Sequence, residues 1–598
     1  MTLLKKIAKK YFSTFVYFYK QLKYRFFIIL LLSLFVGVLD GFGLAMFMPM
    51  LELVSSSEEA SGSSLGNFDF LVKSIENLGL SLNIFTVLAA MILFFIFKGV
   101  AQFISLLYNA ILRKYFISKI RNQLLDGFNQ IKYKYYVTSD VGRIQNTMSV
   151  EVERATIAFY SYTNAIQQAV MVLVYMSFAF FVDIRFALLV SIGGILTNIL
   201  YKTTYKKTKG ASQAFSKDSH LYQGQIIQYV ANFKYLKATA FLNQYANHLR
   251  NSIKVMEHSR FRIGKLNAFL ASLREPFLII VVAAVILIQT QLLNADLGPI
   301  LISLLFFYRA LSSLLNLQNF YNRFLEQFGS LENLMSFQQE IDEQKEMIGK
   351  RIFDGLQNDI ILKEVSLSYD EVKVLQNINL HINKNETIAF VGESGSGKTS
   401  LVNIAAGLIP VDKGSLFIDG FNSKDINIHS YQQRVGYITQ DPVIFNDTIF
   451  NNVTLWAEHN EKNYKRFEEA LKKAAIDNYV VEQPDGAETL LGNDGVNLSG
   501  GQKQRISIAR ELYKDIDVLI MDEATSALDS ETEKAIQNSI DSLKGNYTIL
   551  MVAHRLSTIR NADKIVMMHK GRIQQVGTFD ELIATSPIFN RMIELQET

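Results

Sequence analysis

Six apolar runs dominate the first part of this 598-residue chain, near 26–51, 83–110, 157–182, 186–203, 267–292 and 298–325. Inside a bilayer every backbone N–H and C=O must find a partner, and a single segment satisfies all of its own only as a helix. Each run reaches the ~20 residues that cross the hydrocarbon core, so six membrane-spanning helices are predicted. The third and fourth adjoin across Val182-Asp183-Ile184-Arg185, which implies a tight helical hairpin. Composition agrees, since 49% of residues are hydrophobic and only 19% are charged, a low charged share for a soluble protein.

Basic residues set the orientation. The N-terminal arm, the 111–156 connection (Arg113, Lys114, Lys119, Arg121, Lys132, Lys134) and the 202–264 connection (Lys202, Lys206, Lys207, Lys209) are rich in cations. The 54–82 loop instead carries Glu58, Glu59, Asp69 and Glu76 against Lys73. Both termini are therefore expected in the cytoplasm. The N-terminus reads without a removable signal, and residues 1–24 read as a basic amphipathic helix on the cytoplasmic membrane surface. Ser55 to Gly66 reads as flexible, while Phe68, Leu71, Val72, Ile75 and Leu78 recur at helical spacing and predict a short amphipathic helix on the outer surface. The two basic connections read as long helices that run past the membrane and end in short turns.

Ionisable residues within the spans are the informative ones. They are Asp40 in the first span, Lys98 in the second, Arg274 and Glu275 in the fifth and Arg309 in the sixth. Counted from the outer ends, the three cations lie roughly 17–25 Å deep, with Glu275 at their depth and Asp40 nearer the outer leaflet. Two readings stand open: internal pairing with snorkelling toward the cytoplasm, or a basic cavity of Lys98, Arg274 and Arg309 for an anionic head group. A net charge of +4 gives no argument for nucleic acid, and a chain without cysteine has no disulfides, thiolate metal sites or cysteine nucleophiles.

Residues 326–355 turn polar, and from 356 short apolar strands alternate with amphipathic helices. The expected organisation is a six-span helical membrane domain over 1–340, a linker over 341–355 and an α/β P-loop NTPase domain over 356–598. Thr387-Ile388-Ala389-Phe390-Val391 reads as a strand, followed by Gly392-Glu393-Ser394-Gly395-Ser396-Gly397-Lys398-Thr399 and a helical segment from Ser400. Strand, glycine-rich loop and helix are the context of a P-loop, whose amides point inward at phosphate oxygens. Gly392, Ser394, Gly395, Ser396, Gly397, Lys398, Thr399 and Ser400 are thus ATP-binding candidates, with Lys398 reaching the β- and γ-phosphates and the Thr399 hydroxyl on Mg²⁺. Val518 to Met521 reads as a buried strand ending in Asp522 and Glu523, 124 residues beyond Lys398. A carboxylate pair there suits Asp522 to Mg²⁺ and Glu523 to general-base work on the attacking water.

Between these motifs stands Leu498-Ser499-Gly500-Gly501-Gln502, and with it the chain resembles an ABC transporter over its whole length, of the exporter type with one membrane half fused to one nucleotide-binding domain. The resemblance implies that Tyr369 stacks on adenine, that Gln440 touches Mg²⁺ and the water, and that His554 lies near the γ-phosphate. Ser526-Ala527-Leu528-Asp529 corresponds to the D-loop, so Asp529 joins the nucleotide site. Ser499, Gly500, Gly501 and Gln502 would complete the ATP site of a second copy, which implies a homodimer, with a heterodimer as the alternative. One departure is Gly492-Asn493-Asp494-Gly495, where such exporters usually carry Gly-Glu-Arg-Gly. The implied activity is ATP hydrolysis coupled to alternating access, from a bacterial cytoplasmic membrane. Asp40, Met48-Pro49, the 68–78 segment, Tyr308-Arg309 and the three cations resemble the lipid-linked oligosaccharide flippases, with Lys98 standing where an arginine is usual. A lipid A or phospholipid flippase is the nearest alternative, then a peptide or drug exporter.

Overall fold

The computed structural model describes residues 14–55, 73, 76–77, 79, 81, 83–182, 184–288, 297–369, 371–522, 530–553 and 559–597. It divides into two compact units, Met1–Gln130 with Ser139–Glu343, and Ile131–Thr138 with Gln344–Thr598.

The first unit is helical: α1 (Arg25–Ala45), α2 (Ile84–Phe128), α3 (Val152–Val182), α4 (Ile184–Ala231), α5 (Leu242–Leu287), α6 (Leu297–Glu326) and α7 (Phe328–Glu343). The first six of these fall on the six predicted spans, α1 ending at Ala45 and α5 at Leu287. Among the described residues, Arg25–Met50, Ile84–Phe128 and Val141–Val182 are long and apolar enough to cross a membrane. Helix α2 starts on a capping box in which the Asn83 side chain accepts from Thr86 N at 2.9 Å and the Thr86 hydroxyl accepts from Asn83 N at 3.1 Å. Its 45 residues extend ~68 Å, about twice the ~30 Å hydrocarbon thickness, as the long-helix reading of the first connection expects. The second connection ends likewise in a short helix, Phe233–Ala238, between α4 and α5.

Close helix approach depends on small residues. A Cβ on Gly41 of α1 would lie 2.2 Å from the Phe178 ring of α3, so only glycine fits at this crossing. The amphipathic segment at 14–22 is helical, and Phe18 and Leu22 are fully buried. Phe18 packs on Phe116, Phe159 and Tyr162 at centroid distances of 5.1–5.9 Å. This corrects the reading of 1–24 as a helix lying only on the membrane: one face of the described part belongs to the protein core, and Val16 and Tyr19 remain exposed. The predicted outer helix at 68–78 and the flexible stretch before it lie outside the described residues, apart from isolated positions.

Helix α7 buries Leu331, Leu334, Phe337 and Ile341, a stripe at three- and four-residue spacing that seats it on α2, α3 and α4. A polar knot lies in this packing. A π-helical turn, Thr147–Glu151, leads into α3 and carries the fully buried Glu151. Ser216 Oγ of α4 donates to Glu151 Oε1 at 2.9 Å, and His220 Nε2 lies 3.5 Å from the same oxygen. Asn333 of α7 approaches Ser216 Oγ at 2.8 Å and His220 Nε2 at 3.0 Å, while Asn146 meets His220 Nδ1 at 2.9 Å. Burial is the main cause that holds the His220 ring below its ordinary pKa, with Arg143 and Arg154 adding to it and Glu151 and Asp140 opposing.

The second unit contains two sheets. Strands β1 (Asp359–Tyr369), β2 (Val372–Asn383), β4 (Lys413–Ile418) and β5 (Phe421–Asn422) form an antiparallel sheet in the order β2-β1-β4-β5. Strands β3 (Thr387–Gly392), β6 (Val435–Ile438), β7 (Val518–Asp522), β8 (Thr548–Val552), β9 (Lys564–His569) and β10 (Arg572–Gly577) form the second, in the order β10-β9-β3-β8-β7-β6. Its pairs are parallel except β9 with β10. In β3, Ile388 and Phe390 enter one hydrophobic core and Ala389 and Val391 the other, so the strand is buried on both faces. The segment Ile131–Thr138 belongs to this unit: Lys132 N donates to Gln344 O at 3.0 Å and Lys134 Nζ pairs with Asp412 Oδ1 at 2.8 Å.

Candidate functional site

The buried strand β3 delivers the chain to Gly392, where φ reaches 149°, and the loop turns through Gly395 (φ 77°) and Gly397 (φ 99°) into helix α8 (Lys398–Ala405). A side chain is excluded at two of these glycines. A Cβ on Gly392 would stand 2.2 Å from Met568 O, and one on Gly397 2.7 Å from Leu375. Lys398 bends back over the loop and donates to the carbonyls of Gly392 at 2.8 Å and Glu393 at 3.0 Å. Ser396 is buried, and its hydroxyl has no hydrogen-bond partner. A glycine cradle, an ammonium at its mouth and an unsatisfied hydroxyl at the start of a helix fit a polyphosphate.

Sheet order brings the second motif to the same place. Strand β7 is separated from β3 only by β8, and its last residue, Asp522, accepts at Oδ1 from the Thr399 hydroxyl at 3.2 Å. These two oxygens are the pair expected to hold Mg²⁺. Tyr369, at the end of β1, is half-buried; burial is the main cause that lifts its hydroxyl above the ordinary tyrosine range, with Ser400 of α8 opposing it. Gln440 follows β6 and is exposed. Glu523, Asp529 and His554 lie outside the described residues.

Ser499 caps the helix α9 (Gly500–Tyr513). Its hydroxyl accepts from Gln502 N at 3.3 Å and Gln502 Oε1 accepts from Ser499 N at 2.8 Å. Ser499 and Gly500 are exposed, and nothing lies within 4 Å of a Cβ built on Gly500. The signature therefore presents a capped helix N-terminus at the surface, on a helix that packs against β6 and the helices Ile449–Thr454 and Glu461–Lys473, whereas α8 packs on β2, β3 and β8.

Two residues beyond the sequence motifs join these pieces. Tyr437 of β6 donates to Asn403 Oδ1 of α8 at 2.8 Å, and its hydroxyl pKa is raised, first by burial and then by Asp522. Arg510 of α9 is buried and donates to Asn452 O at 2.6 Å, Val443 O at 2.7 Å and Asn452 Oδ1 at 3.1 Å. It thereby ties the chain three residues past Gln440 to the signature helix. An arginine on the otherwise apolar face of Ile506, Ala509 and Leu512 is the only sequence signal for it.

In the first unit, Lys98 is no free cation. Its Nζ lies 2.6 Å from Asp40 Oδ1, and the Tyr175 hydroxyl donates to Asp40 Oδ2. The expectation that Glu275 is the one carboxylate within reach is thus corrected for Lys98. Arg309 on α6 lies between Phe306, which stacks on Phe178 at 5.4 Å, and Ala310, which packs in the same core as Tyr175, and it has no ion-pair partner among the described residues. Arg274 and Glu275 lie in α5, with side chains outside those described.

Residues 375–526 match the family described as ABC transporter. The ATP-dependent lipid A-core flippase of Salmonella typhimurium is 38% identical over 296 residues, 49% of this chain and 50% of that protein. The chain thus spans about half the length of the first curated relatives it matches. The protein of the same name from Psychrobacter arcticus is 29% identical over 509 residues, 82% of this chain and 83% of that one. Among solved structures, a bacterial Atm1-family ABC exporter with ATP bound superposes with a TM-score of 0.75 at 19% identity, covering 96% of this chain and 97% of that one.

Proposed function

We propose that this chain, with a helical membrane domain of exporter fold followed by a domain that matches the ABC transporter family, is an ABC half-transporter that hydrolyses ATP to move a phosphorylated amphipathic lipid across a membrane. The observation that carries the reading is the Thr399–Asp522 contact at the mouth of a glycine cradle, in a chain whose membrane helices also hold the half-buried cations Lys98 and Arg309. Mg²⁺ held by Thr399, Asp522 and Gln440 would neutralise phosphate charge. Gly392 to Ser400 would grip the phosphates and Tyr369 the base, while Glu523 would orient the attacking water and His554 the γ-phosphate.

The exposed N-terminus of α9 faces a task its own chain leaves open. In a head-to-tail pair, Ser499 to Gln502 of one copy would close over the nucleotide held by the other, with Asp529 at the seam. Closure of two such sites would drive the membrane halves between inward- and outward-facing states. The nucleotide-binding domain and the N-terminus then lie in the cytoplasm, and a bacterial cytoplasmic membrane suits the bacterial relatives.

For the cargo, a lipid A-type molecule is the best-supported reading, because the relatives are named for it and because a bisphosphorylated head suits Lys98 and Arg309 together, with Arg274 on α5 as the third candidate. The pyrophosphate-linked oligosaccharide expected from sequence is the second reading and shares the same chemistry. ATPase stimulation in nanodiscs separates them. Bisphosphorylated lipid A should stimulate most, a dominant response to a pyrophosphate-linked oligosaccharide supports the second reading, and stimulation by a cationic peptide alone contradicts both.

A further inference from the structure

Three helices converge on one carboxylate. Asp40 of α1, only 1% exposed, takes Lys98 of α2 on one oxygen at 2.6 Å and the Tyr175 hydroxyl of α3 on the other. Arg309 of α6 stands between Phe306, whose ring stacks on Phe178 of α3 at 5.4 Å, and Ala310, which shares a hydrophobic core with Tyr175. Among the described residues the cluster therefore holds two cations and one anion, and the anion is already spent on Lys98. A pair of this kind is costly to break, since Lys98 would be left without a counter-ion in a medium of low dielectric.

We propose that Asp40 is a specificity-determining internal counter-anion, which makes the membrane cluster respond to polyanionic head groups and reject singly charged ones. The inference rests on the reading of Lys98 and Arg309 as head-group ligands. A head group with one negative charge can neutralise Arg309, but it has nothing left to offer Lys98 in exchange for Asp40. A bisphosphorylated head supplies both charges at once. When Lys98 turns to such a phosphate, Asp40 keeps a partner in the Tyr175 hydroxyl, so the exchange leaves no buried group bare. Discrimination thus arises from the cost of displacing an existing partner rather than from an added attraction.

The test compares ATPase stimulation in phosphatidylcholine nanodiscs doped with bisphosphorylated lipid A or with phosphatidylglycerol. In the wild type, phosphatidylglycerol should need a mole fraction at least about tenfold higher for half-maximal stimulation; in Asp40→Asn, which frees Lys98, the gap should shrink to within about threefold. Should Asp40→Asn fail to fold, Asp40→Asn/Lys98→Gln removes both charges together, and its weaker responses to the two lipids should then be nearly equal. A lipid preference at the wild-type value in the folded variant overturns the role of Asp40 while leaving the transport reading intact. A wild type that responds equally to both lipids also overturns it. A wild type stimulated by neither removes the head-group reading and this inference with it.

Discussion

At the scale of single residues, Arg510 shows how much of the nucleotide-binding domain hangs on groups outside the motifs. Its guanidinium satisfies the carbonyls of Asn452 and Val443 and shares Asn452 Oδ1 with the Phe445 N–H, so truncation removes the arginine donor from two carbonyls, of which that of Asn452 is buried. Arg510→Ala should cost about 3 kcal/mol, which for a domain of this size lowers the melting temperature by roughly 6–12 °C. Thermal unfolding in detergent measures this, and an unchanged melting temperature would show the bonds to be dispensable. The phosphate loop was legible because its chemistry is contiguous, from Gly392 to Thr399. Arg510 and Asp40 were not, since their partners lie 58 and 67 residues away in one case and 58 and 135 in the other. Counting depth along a helix placed Asp40 apart from Lys98, because that count ignores the reach of a lysine stem.

Elements tell a different story. Hydropathy foresaw the long helices, and the 45 residues of α2 and 48 of α4 follow the runs and their basic extensions closely. It gave no hint of the π-helical turn at Thr147–Glu151, because the extra residue per turn is imposed by packing around Glu151 and leaves no period in the sequence. Nor did amphipathicity reveal which apolar face of 14–22 meets protein and which meets lipid. The junction of α3, α4 and α7 carries its own prediction through His220, whose folded pKa lies below the free value of 6.5. A neutral ring is then favoured in the folded state. The stability it contributes is fully present above about pH 6.5 and is lost as the pH falls through that value toward the folded pKa. Melting temperature measured from pH 7.5 to 5.5 should therefore fall more steeply in the wild type than in His220→Gln. Parallel curves would mean that the ring is not held neutral.

On the scale of the whole molecule, one chain carries a helical membrane unit and a nucleotide-binding unit, and the N-terminus of the signature helix is exposed. The ABC framework was legible from sequence because its motifs fall in a fixed order along the chain. Cargo was not, since it depends on which buried charges remain unpaired after the helices pack, as Lys98 demonstrates. What distinguishes a lipid transporter from an ATPase with an idle membrane anchor is directional work. The measurement is ATP-dependent transbilayer movement of bisphosphorylated lipid A in proteoliposomes, with wild type beside Lys398→Ala. Movement that requires ATP in the wild type and is abolished, together with hydrolysis, in Lys398→Ala is the predicted result. Equal movement in the two proteins, or in the presence and absence of ATP, would contradict it.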